Sequence, residues 1–141
     1  MPSSDNEPSE TVARLTLLEK KEPVASFFDM KLVEFAPGFA RVTMKLKPEY
    51  QNFNGFVMGG IVMTVADQAF AYASNSLSYP SVASQVNIHF INGAAADDEL
   101  TAECRVVRSG RRVGISQMTV KNQEGRLIAT ATGTTIPVDR K

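Results

Sequence analysis

An isolated acid is the residue in this sequence best suited to chemistry. Asp67 is the only formally charged residue between Glu49 and Asp97, and it interrupts the apolar, alanine-rich run IVMTVADQAFAYASNS at 61–76. A helix that is apolar on nearly every side is a buried helix, so we expect a buried carboxylate. Burial raises the pKa of a carboxyl group, which favours a general base near neutral pH. A purely structural acid bonded to loop amides is an equal alternative at this point.

A pair of glycines directly before this run supplies the complementary half of a site. Gly59 and Gly60 have no side chains to block an approaching carbonyl group. The N–H groups of a first helical turn, with the positive end of the helix dipole, favour a developing oxyanion. Asp67 follows Gly59 by eight residues, which is about 12 Å along a helix. One reacting carbon cannot touch both groups, so we expect the glycine turn of one chain to meet the aspartate of another.

The overall composition excludes several classes of function. The 141 residues include 15 Lys and Arg and 15 Asp and Glu, so no net charge attracts nucleic acid or an anionic membrane. No apolar stretch approaches transmembrane length and no leader-like segment follows Met1, which predicts a cytoplasmic protein. A Ser-, Pro- and acid-rich segment at 1–10 predicts a mobile tail, and 11–141 is expected to form one domain.

Cysteine and histidine are too scarce for metal or thiol chemistry. One cysteine, Cys104, and one histidine, His89, do not make a zinc site, and we expect no metal and no cofactor. Cys104 shares a strand face with apolar residues, which indicates a small buried side chain. His89 shares the face of Asn87, opposite the apolar face of its strand, and is expected on an outer surface or at an interface.

The periodicity of the chain predicts an α+β fold in which an antiparallel sheet wraps around a long central helix. Helical spacing at 11–28 is interrupted by Pro23, and a helix then follows the Gly59-Gly60 pair. Segments with alternating or β-branched patterns predict the strands, with turns at Pro37-Gly38, Ser109-Gly110 and Glu124-Gly125. These predicted strands are 32–35, 40–46, 82–91, 99–107, 111–121 and 126–137.

At this point the sequence resembles the phenylacetate-degradation (PaaI-like) type of hotdog-fold acyl-CoA thioesterase. That family's pattern is Asn-x-x-Gly-x-x-His-Gly-Gly, followed seven residues later by an Asp in an apolar helix. Here the same spacing reads NFNGFVMGG at 52–60 and ends at Asp67. The segments ADQAFAYASNS, NIHF, DDELTAECRVV and GRLIATATGT also resemble the family, and the whole likeness covers roughly residues 24–137.

The resemblance implies a role for each motif residue. Asp67 is implied to be the general base or nucleophile, Asn52 to orient the water, and the Gly59 N–H to polarise the thioester carbonyl across a subunit interface. Gly55, Gly60 and Met58 are then expected to line the substrate site. Coenzyme A is expected as part of the substrate, and the chain is expected to form a homodimer that pairs into a homotetramer.

Two positions depart from the family's pattern. The motif histidine is Met58 here, which neither donates a hydrogen bond nor carries charge. A position on the strand facing the aspartate, often a hydroxyl residue in the family, is Ala83, with Ser84 predicted to point to the other face. A non-catalytic acyl-CoA binding or sensing protein is therefore the alternative to hydrolysis. Double-bond hydration ranks last, because no suitable histidine lies near the helix.

Three arginines form the remaining candidate site. Arg108, Arg111 and Arg112 flank the Ser109-Gly110 turn, and guanidinium groups suit bidentate binding of the coenzyme A phosphates. A solvated hairpin turn is the slightly favoured explanation of these three arginines. Asn52 likewise has a simple explanation as a turn residue, and only its spacing to Gly59 suggests more.

Overall fold

The sheet-and-helix architecture predicted from the sequence is confirmed. The computed structural model of the chain describes residues 7–138, and these form a six-stranded antiparallel sheet with one long helix packed against it. The helices are α1 (Pro8–Glu19), α2 (Pro23–Phe28) and α3 (Gly59–Leu77). The strands are β1 (Met30–Ala36), β2 (Phe39–Lys45), β3 (Ser81–Phe90), β4 (Glu99–Ser109), β5 (Gly114–Lys121) and β6 (Leu127–Pro137).

Strand order places β3 at one edge of the sheet. The order is β1-β2-β4-β5-β6-β3, and every neighbouring pair is antiparallel. The chain leaves the β1–β2 hairpin, crosses the sheet as α3 and returns as β3 beside β6. Strand β3 has a neighbour on one side only, so its other edge presents unpaired backbone groups.

The core lies between α3 and the inner face of the sheet. Alternate residues of β2 are buried while those between them remain partly accessible, which is the pattern of a strand with one covered face. Val42 lies opposite Ala102 of β4, and both are fully buried. From the helix, Val65, Ala69 and Phe70 close the core. The helix axis is therefore fixed by packing along most of its length.

Two predicted boundaries are corrected by the structure. Residues 8–10, expected in a mobile tail, form the first turn of α1, because proline at the first helical position costs no hydrogen bond. Residues 1–6 of that predicted tail lie outside the described part of the chain. Strand β5 begins at Gly114, so Arg111 and Arg112 lie in the β4–β5 turn and not in the strand. None of the helices within residues 7–138 is both long and apolar enough to cross a membrane.

Candidate active site

Asp67 lies in a groove between α3 and the first half of β3. The groove has a volume of about 240 Å³. Its lining consists of small and apolar side chains around one carboxylate: Asp67, Phe70, Ala71, Ser74, Asn75, Ser81, Val82, Ala83 and Thr135. Ala83 thus shares the groove with the aspartate, as its predicted strand face requires. Ser84 falls at a bulge in β3, where its hydroxyl donates to the Thr134 carbonyl.

The expectation of a buried carboxylate is wrong for the single chain. Asp67 is exposed, on a face of α3 that also carries Gly60, Thr64 and Ala71, none of which is buried. Small uncharged residues on this face look in sequence like core residues, so composition alone does not separate a buried face from an open one. Helix α3 is therefore covered by the sheet on one side and uncovered on the other.

The exposed carboxylate is nevertheless partly removed from water. Desolvation raises the pKa of Asp67 above its ordinary value. Within residues 7–138 no side chain or backbone N–H donates a hydrogen bond to it, so nothing stabilises the charged form in compensation. A carboxylate in this state has a strengthened affinity for a proton and is free to contact a ligand or water.

The beginning of α3 presents two N–H groups without an acceptor in the described chain. Met58 is the N-cap residue, and its carbonyl accepts hydrogen bonds from the N–H groups of Ile61 (2.9 Å) and Val62 (3.4 Å). The N–H groups of Gly59 and Gly60 are the remaining donors of the first turn. Phe90 of β3 packs on Gly59 so closely that an added Cβ would lie 3.0 Å from its ring. The absence of a side chain at Gly59 permits this contact and leaves its N–H accessible to an anion.

The loop before the helix is held by Asn52. Its Oδ1 atom accepts hydrogen bonds from the N–H groups of Asn54 (2.9 Å) and Phe56 (3.2 Å), and Gly55 has a φ of 79° that favours glycine. The Met58 N–H donates to the Tyr50 carbonyl at 3.0 Å, which ties the loop to the helix. The turn role considered for Asn52 is thus observed. Its Nδ2 group makes no hydrogen bond within residues 7–138 and remains available as a donor.

The structure does not bring Gly59 and Asp67 together in one chain. Both lie in α3, eight residues apart, which separates them by about 12 Å. Met58, by contrast, lies beside the glycines, with its Cε atom 3.7 Å from the position of a Cβ on Gly60. Met58 is 54% exposed, so its thioether forms part of an open surface at the helix start.

The three arginines lie away from the glycine turn. Arg108 lines a small cavity with Ser74 and Ser78, which places it at the C-terminal end of α3. Arg111 and Arg112 are exposed and form no ion pair within the described residues. No acidic side chain within residues 7–138 therefore neutralises either guanidinium group.

The two remaining candidate residues lie where their patterns predict. His89 is exposed on the outer face of β3, opposite Thr130 of β6. Cys104 is fully buried, and burial raises the pKa of its thiol to about 12. Neither approaches the groove of Asp67. Among residues 7–138 no group of three His, Cys, Asp or Glu side chains is arranged to hold a metal ion.

Sequence patterns missed one residue that holds the helix. The Oε1 atom of Glu22, just before α2, accepts hydrogen bonds from Gln68 Nε2 (2.7 Å) and the Tyr72 hydroxyl (2.6 Å). Burial, followed by the bond to Glu22, raises the pKa of Tyr72. Gln68 is the neighbour of Asp67, so Glu22 fixes the rotation of this turn of α3. A contact across 46 residues leaves no periodic signal in the sequence.

Comparison with known proteins agrees with this architecture. The sequence pattern of the thioesterase superfamily matches residues 54–129. A putative esterase of Archaeoglobus fulgidus is 35% identical over 120 residues, which cover 85% of this chain and 78% of that protein. The acyl-coenzyme A thioesterase PaaI of Escherichia coli is 32% identical over 114 residues, or 81% of each chain.

Solved structures extend the likeness to three dimensions. The E. coli PaaI protein from the phenylacetic acid degradation operon has a TM-score of 0.88 at 27% identity, covering 95% of this chain and 97% of that one. A hypothetical thioesterase of Streptococcus pneumoniae, solved with coenzyme A, has a TM-score of 0.76 at 28% identity and covers 82% of this chain and 91% of that one. The fold is the hotdog fold, and the chain belongs to the thioesterase superfamily.

Proposed function

We propose that the protein hydrolyses acyl-CoA thioesters at a site shared by two copies of the chain. The observation that carries this proposal is the separation of Asp67 from Gly59 along one helix, about 12 Å. The base of one protomer and the oxyanion donor of its partner meet at one carbonyl only across an interface. The acyl-CoA class of substrate is supported by the name of the E. coli relative and by the coenzyme A in the pneumococcal structure.

The open surfaces around the site support a homodimer. Large apolar side chains of the 52–58 loop and of the end of β3 are exposed to solvent in the single chain: Phe53 (96%), Phe56 (66%), Met58 (54%), Phe90 (53%) and Ile91 (49%). An apolar surface of this kind marks an interaction site. The unpaired edge of β3 and the uncovered face of α3, which carries Asp67, adjoin it. We further propose that such dimers pair into a homotetramer, and size-exclusion chromatography with light scattering distinguishes the two states.

The proposed reaction proceeds by addition and elimination. Asp67 accepts a proton from water as the oxygen adds to the thioester carbon, and the resulting oxyanion is held by the partner's Gly59 N–H. Collapse of this intermediate breaks the C–S bond, and the proton passes to the departing thiolate of coenzyme A. The same position suits a direct attack by the carboxylate, with water then cleaving the anhydride. The Nδ2 group of Asn52 orients the water.

A thiol-release assay tests the proposal. Acetyl-, octanoyl- and phenylacetyl-CoA are offered to the wild type, to Asp67→Asn and to Asp97→Asn, which changes an exposed acid outside the groove. Asp67→Asn should lower kcat/KM about 100- to 10,000-fold, the usual contribution of a general base. Asp97→Asn should leave it unchanged. A wild type that binds these thioesters but releases no thiol would overturn hydrolysis in favour of binding.

A further inference from the structure

A cavity between α1 and α3 is a feature of the fold that the proposed reaction does not use. It has a volume of about 290 Å³ and is open to solvent. Leu15 and Leu18 of α1 contribute aliphatic side chains to its lining, and Tyr72 and Tyr79 contribute aromatic rings. Within the described part of the chain, Glu22 is the one residue of this lining with a formal charge. The cavity is thus a mainly apolar space with a single carboxylate.

The Glu22 carboxylate has neutral partners only. Its Oε1 atom accepts hydrogen bonds from Gln68 Nε2 (2.7 Å) and the Tyr72 hydroxyl (2.6 Å), and its Oε2 atom accepts none from residues 7–138. None of the ion pairs formed within those residues includes Glu22. Neither donor carries a positive charge, so the negative charge of the carboxylate is not neutralised. Beside an apolar wall this charge attracts a cation more strongly than in bulk water, because the local dielectric constant is lower.

The tyrosine rings add a second attraction for a cation. The face of an aromatic ring is negative and attracts a cation that lies within about 6 Å of the ring centroid. Tyr79 already makes such a contact, because the Arg14 guanidinium lies 4.8 Å from the centre of its ring. Arg14 is exposed, lies outside the lining and forms no ion pair with Glu22. A carboxylate, aromatic rings and aliphatic side chains together are the groups that recognise an organic ammonium ion.

We propose that this cavity binds a small organic cation, an alkyl- or arylalkylammonium ion whose charge lies at Glu22 and whose hydrocarbon part lies against the leucines and tyrosines. The volume suits such a ligand, since one benzene ring fits an apolar cavity of about 150 Å³. A metal ion suits the lining less well, because hard cations take several oxygen ligands and the lining offers one carboxylate. The inference is independent of the proposed hydrolysis, since Asp67, Gly59 and Asn52 do not line this cavity.

Three probes of similar shape and different charge test the inference by calorimetry on the full-length wild-type chain. Near neutral pH, phenethylammonium is a cation, 2-phenylethanol is neutral and 3-phenylpropanoate is an anion. The cation should bind at least about tenfold more tightly than the alcohol, and the anion should bind more weakly than either. Equal binding of the cation and the alcohol would overturn the inference. Absence of cation binding up to about 10 mM, the range of the weakest specific sites, would also overturn it.

Glu22→Gln tests the carboxylate itself. Glutamine retains an oxygen that accepts hydrogen bonds from Gln68 and Tyr72, so the contacts between the helices persist while the negative charge is lost. Phenethylammonium should bind at least about tenfold more weakly to this variant, and 2-phenylethanol should bind as it does to the wild type. Circular dichroism checks that the variant is folded. If it is not folded, the three probes on the wild-type chain decide the inference.

Glu19→Gln is the matched control for the loss of one negative charge. Glu19 belongs to α1, and its charge acts on Tyr72, but it does not line the cavity. Binding of phenethylammonium should change less than about threefold in this variant, because water and salt screen a charge that the ligand does not contact. An equal loss of binding in Glu19→Gln and Glu22→Gln would show that the cation responds to the general charge of this surface, and the site at Glu22 would be disproved.

Discussion

At the scale of single residues, two aspartates illustrate what makes a carboxylate available for chemistry. Burial acts to raise the pKa of Asp98, but hydrogen bonds from Gln123 Nε2 and the Ala95 N–H outweigh it and lower that pKa. Asp67 experiences the desolvation without the donors, and its pKa is raised. The Asp98 carboxylate accepts hydrogen bonds that hold the loop around it, whereas the Asp67 carboxylate accepts none within residues 7–138. This contrast supports a reactive role for Asp67.

The raised pKa predicts the pH dependence of activity. A general base works only when deprotonated, so kcat/KM should fall as pH drops through the pKa of Asp67, above the ordinary aspartate value of about 3.9. In Asp67→Asn, the residual kcat/KM should no longer fall at low pH in this way. The kcat/KM profile for octanoyl-CoA from pH 4 to 9 measures it; a limb at the ordinary value, or one that persists in the variant, would contradict the assignment.

The same shift predicts the effect on stability. The folded state binds the Asp67 proton more tightly than the unfolded state, so this group's contribution to stability falls as pH rises from the ordinary aspartate pKa through the raised one. Asp67→Asn should therefore not lower Tm at pH 7. Its loss of activity is then not a loss of folding.

The sequence nominates Asp67 and Gly59 as site residues but does not describe their surroundings. Charge isolation and the glycine pair are local signals, which is why a single sequence displays both. Exposure of Asp67 was not predicted, because Thr64 and Ala71 on its face are as compatible with a core as with an uncovered surface. The hydrogen bonds from Gln68 and Tyr72 to Glu22 depend on how separate helices pack, which no local pattern encodes.

At the scale of elements, the position of α3 depends on a close approach to β6. Gly133 faces the ring of Phe70, and a Cβ at this glycine would lie 2.5 Å from Cζ and 2.7 Å from Cε2. Phe70 is 1% exposed, so its ring is enclosed by its neighbours. Phe70 also lines the groove of Asp67. The glycine thus sets the distance between the helix and the sheet beneath the site.

Gly133→Ala should consequently destabilise the protein. Overpacking of this kind costs about 1–3 kcal/mol, measured as the change in the free energy of unfolding in urea. Gly93→Ala is the control, since nothing lies within 4 Å of a Cβ there. Adding Phe70→Leu to Gly133→Ala should restore part of the loss. Unchanged stability of Gly133→Ala would mean that the helix and sheet separate easily.

The elements were predicted more accurately than their arrangement. Period-two alternation located the strands to within a few residues, and Pro23 marked the break between α1 and α2. The order β1-β2-β4-β5-β6-β3 did not follow from these patterns. Alternation shows which side chains share a face, but it carries no information on which strand becomes the neighbour of another.

At the scale of the whole molecule, the proposed site is incomplete in one chain, and this predicts complementation between two inactive variants. Gly59→Pro removes the N–H donor at the first helical position, where proline is tolerated. A mixed dimer with Asp67→Asn has one site with both Gly59 and Asp67 and one with neither. Refolding the two variants together at equal concentration should restore about a quarter of wild-type activity.

Gly59→Ala is the control that separates the loss of the Gly59 N–H donor from the addition of a side chain. Gly59→Ala introduces a Cβ next to Phe90 but retains the N–H, and the ring is half exposed and able to shift. It should keep most of the activity that Gly59→Pro loses. If mass spectrometry finds mixed dimers that remain inactive, each site belongs to one chain.

The proposed sharing of each site by two chains would also link catalytic capacity to the amount of protein present. In that arrangement two chains associate before a site exists, so the number of sites follows mass action. When most chains are monomeric, doubling their concentration raises the number of dimers about fourfold. In a protein whose site lies within one chain, the number of sites would rise in direct proportion to the concentration of the chain. With the proposed shared site, activity would therefore rise more steeply than the concentration of the chain.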